Sequence, residues 1–82
     1  MNELLQRREE LMREWTSFYR TLDYHGLSED LRFKVNRILN YVFDDILDYL
    51  RGTSGYVQDG LGRFVSDFPK MINDLKEETG GK

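Results

Sequence analysis

Apolar residues recur at three- and four-residue steps along most of the chain, the spacing of helices that each bury one face. In the first segment, about Asn2 to Tyr24, Leu4, Leu11, Trp15, Phe18 and Leu22 follow these steps, with Leu5, Met12 and Tyr19 alongside. At ~100° per residue they fill one stripe roughly 140° wide. Glu3–Arg7 and Glu9–Arg13 are i,i+4 pairs in the favourable order. His25-Gly26 predicts the stop, with the glycine in the left-handed conformation that ends helices.

Ser28 predicts the N-cap of a second helix, with Glu29 and Asp30 placing negative charge on its positive end. Its stripe is Leu31, Val35, Ile38, Leu39, Val42, Phe43, Ile46, Tyr49 and Leu50, which places this helix at the centre of the fold. Arg51 suits the last turn and Gly52 the stop, and Gly52-Thr53-Ser54-Gly55 reads as a loop. From Val57 the period resumes through Leu61, Phe64, Val65, Phe68, Met71, Ile72 and Leu75. Pro69 removes the bond to the Val65 carbonyl, so this third helix is expected either to kink or to break in two near Pro69, with Ser66 and Asp67 as caps. No segment alternates as a strand does. The reading is an all-α, small antiparallel three-helix bundle, with residues 1–78 as a single domain and 79–82 as a flexible C-terminal tail.

Composition narrows the chemistry. The chain has 82 residues, no cysteine and one histidine, His25, which excludes disulfides, thiolate metal sites and cysteine nucleophiles. With no apolar run near the ~20 residues of a membrane span and no signal-peptide stretch in the first residues, a cytoplasmic protein without membrane contact is expected. The net charge is −3. Seven bases and seven acids share the first half, so no basic face for nucleic acid is expected there. Gly60-Leu61-Gly62 completes no phosphate-binding motif. Asp44, Asp45 and Asp48 supply too few oxygens for a hard cation and read as a solvated face, with Asp45 near the stripe edge and placed to bond a neighbouring helix. No catalytic, cofactor-binding or metal site is predicted, and no cofactor.

Arg8 falls inside the first apolar stripe, where an unpaired guanidinium is costly. It either snorkels from the helix end or meets a carboxylate across an interface, which makes it a candidate homodimer contact. Tyr24, Phe33, Tyr41, Leu47 and Tyr56 miss the stripes and are expected to point away from the core. Phe33, Arg37 and Tyr41 have the composition of binding hot spots, and with Tyr24 and Tyr56 they are the candidate partner-binding residues. The expected function is therefore a non-enzymatic protein–protein interaction domain: a small adaptor, inhibitor or regulator of a larger protein, of a size common among proteins encoded by phages or mobile elements. The alternative is a dimeric nucleic-acid-binding regulator using the Arg-rich first two helices, and a third reading is an enzyme with its acid or base at Asp45 or His25.

Overall fold

In the computed structural model, which describes residues 2–52 and 55–80, α1 runs Asn2–Thr21, α2 Glu29–Arg51 and α3 Leu61–Glu78. A 3₁₀ turn at Tyr24–Gly26 leads into α2, and a π-helical segment at Tyr56–Gly60 leads into α3. The predicted loop residues Thr53 and Ser54 and the tail residues Gly81 and Lys82 lie outside the described residues. No strand is present among those described. The chain forms a small all-α three-helix bundle.

The ends of α2 follow local chemistry. Ser28 Oγ accepts the Leu31 N–H at 3.3 Å, and Gly52, at φ 63°, turns its own N–H back to the Asp48 and Tyr49 carbonyls. The end of α1 differs from expectation. The helix stops at Thr21, and Gly26 has no positive φ. A Cβ there would lie 2.6 Å from Oδ2 of exposed Asp23, a side-chain end that can move aside.

The central element is α3, not α2. Leu61, Phe64, Phe68, Ile72 and Leu75 are all buried, and α3 packs against both α1 and α2, whose own backbones come close to each other at few points. The core joins these α3 side chains to Leu11, Trp15 and Phe18 of α1 and Val35 and Ile38 of α2. Of the two expectations for Pro69, the break does not occur, because one helix continues through it. Proline inside a helix costs about 3 kcal/mol, whereas each fully buried large apolar side chain contributes ~1.5–3 kcal/mol. Buried residues on both sides of Pro69 outweigh the lost bond.

The π-helical segment rephases the chain upstream of α3. An i→i+5 turn holds about one more residue than an α turn, which swings Tyr56 by roughly one residue step, ~100°, toward the apolar side. Tyr56, expected at the surface, is buried instead. Gly60 makes room for it, since a Cβ at Gly60 would stand 2.9 Å from Tyr56 Cδ1. Gly62 faces open space. Gly60→Ala should therefore destabilise by about 1–3 kcal/mol through overpacking, while Gly62→Ala should stabilise by about 0.5–1 kcal/mol through propensity. Urea melts of the two variants check the opposite signs.

Candidate protein-interaction surface

Among the described residues the buried polar side chains are Arg8 and Asp45, and they meet. Arg8 projects from α1 into the bundle and donates from Nε to Asp45 Oδ2 at 2.9 Å, with Nη2 at 2.8 Å from the same oxygen. The second carboxylate oxygen, Oδ1, accepts the Tyr56 hydroxyl at 2.8 Å. The Arg8 guanidinium also lies over the Tyr49 ring, 4.3 Å from its centroid. Among the described residues no buried side-chain nitrogen or oxygen lacks a partner. This node ties α1, α2 and the π-helical segment together. The carboxylate that Arg8 meets is in its own chain, so Arg8 is not snorkelling and needs no second copy for its charge.

Burial, with the bond to Asp45 and that group's charge, holds the Tyr56 phenol well above its ordinary value. Burial raises Tyr41 as well, aided by the charges of Asp67 and Asp45. A raised phenol favours the fold fully below the unfolded value, about pH 10, and that contribution is lost as pH rises above it. Tyr56→Phe should flatten the fall in stability above about pH 10, as measured by urea unfolding across that range.

The remaining predicted surface residues are dispersed. Tyr41 turns inward rather than outward and stacks on Phe64 at 5.7 Å and Phe68 at 6.1 Å between ring centroids. Tyr24 is half-buried against the core, and its hydroxyl hydrogen-bonds with the Asn36 side chain. Leu47 is also half-buried. Phe33 is exposed as expected. Exposed Arg37 lines a surface depression with Lys34, Ile38, Met71, Asp74 and Leu75. The proposed Phe33–Arg37–Tyr41 face is thus not assembled. Asp44 and Asp48 are exposed beside Arg63 on the side of α2 that faces α3, and His25 is exposed with its ring edge-on to Tyr24.

A different surface takes their place. On an ideal wheel the inward side of α2 is rotated by about 50°, half a residue step, from its apolar stripe. Asp45 and Tyr41 are drawn in, and one flank of the stripe is pushed out. Phe43 is 61% exposed and Leu50 73%, with Ile46 and Tyr49 also exposed and Leu39 half-buried beside them. The rotation has a physical cause. α3 docks on the Tyr41–Lys34 side of α2, where rings stack and Lys34 pairs with Asp74 and Glu78. Asp45 must then face Arg8 and Tyr56.

The exposed flank is ordered by helix geometry. Leu39, Phe43, Ile46 and Leu50 are separated by four, three and four residues, the spacing of a coiled-coil seam. Sequence reading found these residues as a stripe but assigned them to the core. The signal that could have separated them is the stripe's excess width over one helix contact. Lone exposed apolar residues are ordinary; Phe43, Ile46 and Leu50 are exposed in line along one helix, with half-buried Leu39 continuing the row, and form one apolar patch. Comparison with protein-family models, curated proteins and solved structures finds no match for this chain.

Proposed function

We propose that the protein is a non-enzymatic interaction domain, a small adaptor, inhibitor or regulator that acts by laying the outward flank of α2 against another protein. One observation carries this reading: Phe43, Ile46 and Leu50 stand outside the core on a helix whose inward side is already filled. Burying such side chains contributes about 1.5–3 kcal/mol each, enough for a few residues to carry an interface. The rest of the molecule supports the reading through its polar node, whose groups are engaged with one another. Affinity capture from the native cell with wild-type and Phe43→Glu baits tests it. A protein retained by wild type and lost with Phe43→Glu, with the melting temperature unchanged at sub-micromolar concentration, is the expected result. Identical retention by both baits would reject the flank as the binding surface.

A further inference from the structure

The outward flank of α2 is matched to itself. Leu39, Phe43, Ile46 and Leu50 occupy alternating d and a positions of a heptad pattern, which also places Arg32 at d and Asn36 at a toward the N-terminal end. The flanking e and g positions are Asn40, Leu47, Val42 and Tyr49, none of them charged. An isologous contact pairs the same patch on both copies, residue i with j and j with i, so a rim of one sign would repel. This chain carries a net charge of −3, yet its acidic residues Asp44 and Asp48 lie on the α3 side of α2, away from the seam. A neutral seam on an acidic protein is what self-pairing requires.

We infer that this seam, read as the interaction surface above, takes a second copy of the chain in an antiparallel two-fold contact. The distribution of polar residues sets the direction. Parallel pairing would oppose Arg32 to Arg32 and Asn36 to Asn36. Antiparallel pairing about a two-fold axis between Phe43 and Ile46 sets Phe43 against Ile46 and Leu39 against Leu50, and leaves both Arg32 side chains outside the apolar overlap. The exposed parts of Phe43, Ile46, Tyr49 and Leu50 amount to on the order of 400 Å² per copy. With their rims, two copies reach roughly 1,000 Å², the threshold for a specific contact and the small end of stable interfaces.

Sedimentation equilibrium of the full chain between about 1 and 200 μM tests the inference. A monomer–dimer equilibrium is expected, weakened at least about tenfold by Phe43→Glu and unchanged by Phe33→Glu, which alters an exposed ring outside the seam. Because the chain has no cysteine, single thiols report direction cleanly. Mixing Leu39→Cys with Leu50→Cys under oxidation should give the mixed disulfide in preference to either symmetric one. A wild-type monomer at every concentration, or equal weakening by both glutamate variants, would overturn the dimer. Preferred Leu39→Cys self-linkage would overturn its antiparallel form. A monomer whose cell-extract partner is still lost with Phe43→Glu rejects only the second copy as occupant; a monomer with no such dependence rejects the interaction surface as well.

Discussion

Asp45→Ala is expected to cost about 3–5 kcal/mol, because it leaves the Arg8 guanidinium buried with no counter-charge. It also strands the Tyr56 hydroxyl, whose acceptor is Asp45 Oδ1. A domain of this size has on the order of 4–12 kcal/mol of stability, so the loss is a large share of the whole. The converse is equally informative. Arg8→Met, Asp45→Leu and Tyr56→Phe together replace the polar node with apolar groups of similar bulk and should recover most of that loss. Strong non-additivity between the single and triple variants, measured by urea unfolding, identifies the three groups as one unit. Simple addition of the single effects would mean that the node is open to water.

The second large effect belongs to the aromatic centre. Phe68 is fully buried, 4.6 Å from Phe64, 6.1 Å from Tyr41 and 6.3 Å from Trp15 between ring centroids. Phe68→Ala should cost about 3–5 kcal/mol, since the rings around the cavity belong to all three helices and cannot collapse together. Trp15→Ala removes a ring that also contacts Phe18 and Tyr19, and should cost a similar amount. Ile38→Ala, at the edge of this cluster, should lose about 2–5 kcal/mol. Chemical denaturation of the three variants ranks them. A loss below about 0.5 kcal/mol at Phe68 would remove α3 from the centre of the fold.

The features legible in the sequence are those set by neighbouring residues. Ser28 caps α2 and Gly52 ends it because each acts within one helical turn. The stripe of α3 is equally local, and its buried members are among those its period predicts. Gly26 shows the limit: a glycine after a helix reads as a left-handed stop, yet here it lies in a 3₁₀ turn without a positive φ. Arg8 and Asp45 each stood out, one as a base in an apolar stripe and the other as an acid at a stripe edge. Nothing local pairs residues 37 positions apart. Tyr56 was hidden by the π turn, which shifts the helical phase that an ideal wheel assumes.

The exposure of the α2 flank escaped for a related reason. A wheel orders the side chains around α2 but does not say which part of a wide stripe faces inward. That choice depends on where α3 docks, and Tyr41 stacking and the Arg8–Asp45 pair turn α2 away from the centre of its own stripe. Phe43 and Phe68 look alike in sequence and have opposite surroundings: one is 61% exposed and the other 0%.

The outward flank of α2 lies outside the core and should contribute little to the stability of the fold. Equilibrium unfolding of the Phe43→Gln, Leu50→Gln double variant at about 0.1 μM, where a dimer with a dissociation constant of about 1 μM or weaker is largely dissociated, measures that contribution. Glutamine is a good helix former, so the comparison isolates tertiary packing. The predicted result is stability within about 0.5 kcal/mol of wild type. A loss of about 4 kcal/mol or more, the size of two emptied core positions, would instead place Phe43 and Leu50 inside the core.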